Sequence, residues 1–277
     1  MARDPLDLLH QGAERVIGAY VVDTEDGPAL FDCGPTTCVE HLKEGLRARG
    51  LELQDVRHLL LSHIHLDHAG AAGVLVGEHP QLQVHVSEIG APHLVDPSRL
   101  EASARRLYGD TFDDLWGELA PVPEGNVHVV GERVVGLECF PSPGHASHHV
   151  CYIHEDGTLY AGDAAGVRIQ PHSTVIPPTP PPEFDLAAWI TTIDAIEKRE
   201  PERLSLIHFG VFDDVGRHLE ELRTRLLDWA ALDGVSEAEF SRSVAAEVES
   251  GLDEYERAMP FWQSYAGLVR YWTKAKR

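Results

Sequence analysis

Cysteine, positive charge and long apolar runs are all scarce in this sequence, and each scarcity excludes something. The four cysteines stand at 33, 38, 139 and 151 with no C-x-x-C pair, too few and too scattered for a disulfide framework, so reduced thiols are expected. No apolar run approaches the roughly 18 residues needed to span a bilayer. The opening Met1–His10 segment is interrupted by acids and a proline, unlike a secretory signal. A cytoplasmic location is the expectation. Only 23 Lys and Arg stand against 45 Asp and Glu, a net charge of −22. Such a chain repels phosphate backbones and anionic lipid, so neither nucleic acid nor a membrane is an expected partner. A small-molecule substrate is.

What the chain does have suits a compact enzyme: 277 residues, 43% hydrophobic, with 24 Gly and 18 Pro. Val16–Asp23 and Ala29–Asp32 read as strands around a turn at 24–28, and residues 37–49 as a helix with Val39, Leu42 and Leu46 on one face. Val56–Leu61 reads as a short strand, 69–76 as a helix and Leu82–Val86 as a strand. Residues 98–119 are expected to be helical. Strands return at 126–130, 133–140, 148–154, 158–161 and 203–207. The Pro-rich 177–182 stretch is expected to be extended, with a helix beginning after Glu183. From 215 onward the pattern is helical and aromatic-rich. The order suggests an α/β fold of two αβ halves, sheets facing each other and helices outside. Residues 1–212 are expected to form the catalytic domain, and 213–277 a helical extension packed on it.

The strongest signal is Ser62-His63-Ile64-His65-Leu66-Asp67-His68. Alternation at a strand end sends His63 and His65 to one side, and Asp67 and His68 follow where the backbone turns into a helix. One loop thus offers ligands to two adjacent positions, and divalent ions such as zinc accept imidazole nitrogen and carboxylate oxygen together. By chance H-x-H-x-D-H arises with a probability well under ~1%, so a merely solvated histidine loop is disfavoured. Three more groups follow in order, each after a strand: His145 in Pro-Gly-His, Asp163 in Ala-Gly-Asp and His208 in Leu-Ile-His.

On these motifs the sequence resembles the metallo-β-lactamase superfamily over about residues 15–212, and especially its glyoxalase II-like and lactonase-like dinuclear branch. The resemblance implies a four-layer αββα sandwich. It implies that His63, His65 and His145 hold a first metal, that Asp67, His68 and His208 hold a second, and that Asp163 bridges them. Asp32 matches a structural aspartate that orders the ligand loop. No cysteine occupies a ligand position, so antibiotic hydrolysis is not expected.

Two metals ready a water for attack and polarise a carbonyl or phosphoryl oxygen, so hydrolysis of an ester, thioester, lactone or phosphoester is expected. Asp67 and Asp163 are the catalytic candidates, Asp67 as ligand and proton acceptor. Two divalent ions are expected, zinc first, with iron or manganese as alternatives. The runner-up activity is a mononuclear iron persulfide dioxygenase-like oxidoreductase. His172 is not expected to be a ligand, and His148 and His149 are expected to be structural. Ile176 and Phe184 are either pocket wall or ordinary packing. The basic tail Arg270, Lys274, Lys276 and Arg277 is expected to be solvated. The aromatic stripe of the last helix is expected to be core or a homodimer contact rather than a lid.

Overall fold

A computed structural model describes residues 4–276. Met1–Arg3 of the N-terminal segment and Arg277 of the basic tail lie outside the described residues. Two six-stranded sheets form the centre. The first runs in chain order: β1 (Leu6–Asp7), β2 (Gly18–Thr24), β3 (Gly27–Phe31), β4 (His58–Leu60), β5 (Gln83–Val86) and β6 (Val127–Val129). The second also follows chain order: β7 (Arg133–Val134), β8 (Leu137–Pro141), β9 (Val150–Ile153), β10 (Thr158–Tyr160), β11 (Arg203–Leu206) and β12 (Gly210–Phe212).

Strands β2 and β3 form a hairpin in which Thr24 faces Gly27, whose φ of 104 suits the tight turn. From β3 to β6 every pairing is parallel, which requires crossover connections. These are α1 (Val39–Ala48), then α2 (Leu66–Ala69) and α3 (Ala72–Glu78), then α4 (Ala91–Val95), α5 (Ser98–Tyr108) and α6 (Phe112–Trp116). In the second sheet β8 and β9 pair antiparallel, as do β9 and β10, while β10 and β11 are parallel. Strands β8, β10 and β11 therefore end at the same edge.

Aromatic side chains join the sheets face to face. Tyr20 on β2 donates its hydroxyl to the carbonyls of Leu206 and Gly210, and Tyr152 on β9 donates to Leu61. Phe31 lies edge-on to Tyr152 at 5.8 Å. All three rings are almost completely buried. The two tyrosine hydroxyls meet carbonyls, so neither is left as an unsatisfied buried donor.

Helix α7 (Leu186–Glu197) is capped by Asp185, whose side chain accepts from the Ala188 amide. After β12 come α8 (Val215–Ala230), α9 (Glu237–Glu247), α10 (Leu252–Ala258) and α11 (Phe261–Ala275). Leu222, Trp229, Phe240, Tyr255 and Leu268 from these helices share one buried cluster with Leu159 and Leu204 of the second sheet. Among the described residues, no helix is long and apolar enough to cross a membrane.

Four local expectations differ from the structure. The 98–119 helix is interrupted at Gly109, where φ is 57, and ends at Trp116. The 133–140 strand is a hairpin, turned at Val135 and Gly136, both with positive φ. The 69–76 helix is two pieces, α2 and α3, parted at Gly70 and Ala71. Strand β11 is not the last, because β12 pairs with it. The two-residue β1 and three-residue β12 are too short for alternation to declare itself.

Contact between α11 and the Pro-rich segment connects this extension to the middle of the molecule. Thr179 donates its hydroxyl to the Ser264 carbonyl at 3.0 Å, and its amide donates to Ser264 Oγ. At Gly267 a Cβ would lie 1.9 Å from the Thr179 carbonyl oxygen. Only glycine allows that approach. We therefore expect Gly267→Ala to push α11 from the loop and destabilise the protein by about 1–3 kcal/mol, the usual cost of overpacking. Urea denaturation measures it; an unchanged midpoint would contradict this packing.

Candidate metal centre

All seven sequence-identified side chains come from strand ends or the residues just beyond them. His63 follows β4, His145 follows β8, Asp163 follows β10, and His208 lies between β11 and β12. His65 is extended, with φ −62 and ψ 153, immediately before α2, and that short helix carries Asp67 and His68 in its only turn. Parallel strands end together, so groups distant in sequence meet at one edge.

Three imidazole nitrogens converge. His65 Nδ1 is 2.9 Å from both His63 Nε2 and His145 Nε2. The two carboxylates complete the cluster. Asp163 places Oδ2 3.3 Å from His145 Nε2 and Oδ1 3.4 Å from His68 Nε2. Asp67 Oδ2 lies 3.3 Å from His208 Nε2 and 3.6 Å from His68 Nε2. Three interlocking sets have ligand atoms within 4.8 Å of one another: His63, His65 and His145; His63, His68 and Asp163; Asp67, His68 and His208.

Second contacts set the orientation of each ring. His145 Nδ1 donates to the Pro178 carbonyl at 2.8 Å, and His208 Nδ1 donates to the Val16 carbonyl at 2.5 Å. His68 Nδ1 lies 2.8 Å from Asp32 Oδ2. A proton held on Nδ1 leaves Nε2 as the free lone pair, turned inward. Asp32 also accepts from the Ser62 amide and hydroxyl, each at 2.7 Å. It orders the loop, as the resemblance implies. His149 accepts from the Asp163 amide at 3.1 Å and lies 2.7 Å from Ser142 Oγ, which makes it a structural support. Gly162, with φ 48, fits because any Cβ would meet Ser62 and His149 within 2.7 Å.

Burial, reinforced by neighbouring imidazoles, holds His63 and His65 well below the usual histidine range. It lowers His145 too, though Asp163 and the Pro178 carbonyl oppose it. These rings are neutral at pH 7 and available as ligands. For His68 burial again works downward, but Asp67, Asp163 and Asp32 outweigh it and raise the group. His68 Nε2 and Asp163 Oδ1 are buried and make no hydrogen bond among the described residues. Buried polar atoms are ordinarily satisfied. Three mutually facing nitrogens and two orphaned atoms form a donor set that suits divalent cations, with nitrogen and oxygen ligands and no thiolate.

The cluster forms the floor of a cavity of about 620 Å³. Its walls come from α5, from Pro178, Pro180, Pro181, Pro182 and Glu183 of the Pro-rich loop, and from α10 and α11. Ile176 and Phe184 are core residues instead. His172 is engaged by Ser250 and Glu254, away from the cluster. Cys33 is fully buried and its thiol donates to the His68 carbonyl. Sequence reasoning missed the α5 wall, including Tyr108, whose hydroxyl accepts from Gln263 Nε2 at 2.9 Å. A base at 99 and another at 106, seven apart on one helix face, were the available signal.

The Asp32 contact is testable without changing backbone strain. Asp32 has φ 55, a conformation asparagine tolerates and alanine does not. Asp32→Asn removes the charge that holds His68 Nδ1. We expect metal affinity to fall by about 10–100-fold, the usual loss for such supports, measured by competition with a chromophoric chelator. An unchanged affinity would contradict the orienting role.

Comparison with known proteins identifies the family and the fold. The metallo-beta-lactamase superfamily model matches residues 14–208. The Bacillus subtilis protein YobT is 26% identical over 156 residues, 55% of this chain and 63% of YobT. The chain spans less than two thirds of the length of the first curated relatives it matches. Among solved structures, an archaeal superfamily protein from Sulfolobus tokodaii aligns with a TM-score of 0.68 and 20% identity over 96% of each chain. TTHA1623, solved in a di-iron-bound form, aligns with a TM-score of 0.58 and 24% identity, over 75% of this chain and 94% of its own. The four-layer fold is that of these structures, and the chain belongs to the metallo-β-lactamase superfamily, whose members are mostly metal-dependent hydrolases.

Proposed function

We propose that this protein is a dinuclear metal-dependent hydrolase of small-molecule esters, thioesters, lactones or phosphoesters. One observation carries the reading: the three ligand sets interlock, sharing His63 and His68, with one oxygen of Asp163 turned towards each half. His63 Nε2, His65 Nδ1 and His145 Nε2 would hold one ion. Asp67, His68 Nε2 and His208 Nε2 would hold the other, and Asp163 would serve both.

When bound, a pair of divalent ions lowers the pKa of a water towards about 7 and polarises a carbonyl or phosphoryl oxygen. The rest falls to the chain. Asp32, Pro178 and Val16 hold the three Nδ1 protons, so their rings keep one orientation during a reaction. His149 fixes the backbone of Asp163. Asp67 keeps 22% of its side chain exposed and lines the cavity, so it can accept a proton and pass it to a leaving group. Its carboxyl is held below the usual range by His68 and His208, which overcome the opposing effect of burial.

Zinc is the first candidate for both positions, and the di-iron form of TTHA1623 supports iron as an alternative. Glu183 anchors the loop above the site by accepting from the Ser147 amide and hydroxyl, at 2.8 and 2.6 Å. Asp163→Ala tests the proposal. It should bind fewer than two ions per chain and lose at least about 100-fold in kcat/KM, the upper end of what even supporting groups are worth. Elemental analysis and a screen of thioesters, lactones and phosphotriesters measure both. Full metal content with full activity would overturn the shared-ligand assignment.

A further inference from the structure

The cavity above the cluster does not share the acidic excess of the protein: three acids and three arginines line it. Over the whole chain, acids outnumber Lys and Arg by 45 to 23. Among the residues lining the cavity, Asp67 and Asp163 belong to the metal cluster and Glu183 is tied to Ser147. Beyond these the charged lining consists of Arg99, Arg106 and Arg270.

None of the three arginines has an ion pair or hydrogen bond among the described residues, and all are exposed. The neighbouring Arg105 shows the contrast. Its guanidinium is 2.8 Å from both Glu101 and Asp113, while Arg106, one position on, lines the cavity without a partner. Arg99 and Arg106 are seven residues apart on α5, about 10 Å along one face of the helix. Arg270 comes from α11 and lines the same cavity. Of the basic tail, Lys276 pairs with Asp233 at the surface, whereas the exposed Arg270 also lines the cavity. Asp96 acts on Arg99 without forming an ion pair with it, and three guanidiniums around one opening, none of them ion-paired among the described residues, favour an anionic guest. Leu100, Leu107 and Met259 supply apolar wall in the same cavity.

We infer that Arg99, Arg106 and Arg270 form an anion receptor, and that the substrate carries a carboxylate or phosphate at the end of an apolar arm. The scissile bond would lie at the metal cluster and the anionic end among the guanidiniums, each of which matches a planar or tetrahedral oxyanion with paired N–H donors. This rests on the hydrolase reading for the reaction, though not for the binding.

The test uses metal-loaded full-length protein and a series of thioesters identical except for the end of the arm: carboxylate, phosphate or carboxamide. We expect kcat/KM for one of the anionic forms to exceed that of the carboxamide by at least tenfold, with KM carrying most of the difference. The better anion identifies the source. The ratio should fall towards one in the R99Q/R106Q/R270Q variant, and in wild type as salt rises. A wild-type ratio near one, or a ratio unmoved by the triple substitution, would overturn the receptor. If no member of the series is hydrolysed, thioesters are excluded as the substrate class. The receptor is then judged by calorimetry with the non-hydrolysable amide analogues, where equal Kd for charged and neutral arms would end it.

Discussion

Lone pairs cannot hydrogen-bond to lone pairs, and this constraint organises the molecule. His63 Nε2 and His145 Nε2 each lie 2.9 Å from His65 Nδ1, so three imidazole nitrogens face one another. Burial keeps these rings neutral. At most some of these nitrogens can carry a proton for a neighbour, and His68 Nε2 and Asp163 Oδ1 add two further buried atoms without hydrogen bonds. In a protein interior such a gathering is costly unless a cation lies among the donors. The surrounding contacts all act to maintain the gathering: Asp32 on His68, Pro178 on His145, Val16 on His208 and His149 on Asp163.

Those supports tie the active edge to distant parts of the chain. The carbonyl that orients His145 belongs to the Pro-rich loop, and that loop lies under α11 with Thr179 bonded to Ser264. Gly144, just before His145, approaches Trp189 so closely that a Cβ would lie 2.3 Å from the tryptophan Cβ. Trp189 is itself held by a hydrogen bond from its indole nitrogen to the Ala164 carbonyl, beside Asp163. Helices α7 and α11 thus set the position of two cluster residues through packing. The C-terminal helices, beyond the residues 14–208 matched by the family model, contribute cavity wall as well as core.

Much of this was legible in the sequence because strand ends are marked by their residues. H-x-H-x-D-H offers ligand types at a spacing that alternation and a helix turn bring to two adjacent places, and Pro-Gly-His and Ala-Gly-Asp declare the ends of β8 and β10 through glycines that no other residue replaces. Long periodic segments such as α1, α7 and α8 were equally plain. The hairpin at Val135 was not, since a valine at φ 42 contradicts its own preference for extended backbone. The break at Gly109 and the short strand β12 also depend on tertiary pairing rather than pattern. The cavity walls were hidden for a different reason. Which solvated-looking arginine faces a cavity depends on how α5 and α11 are placed, and local spacing does not encode that. Arg270 is exposed, as expected, and also lines the cavity.

Anomalous X-ray diffraction from crystals of the metal-loaded protein would test the central claim most directly. The account predicts two metal peaks, one among His63, His65 and His145 and one among Asp67, His68 and His208, with Asp163 coordinating both. A single peak, or ions bound only at surface carboxylates, would contradict it.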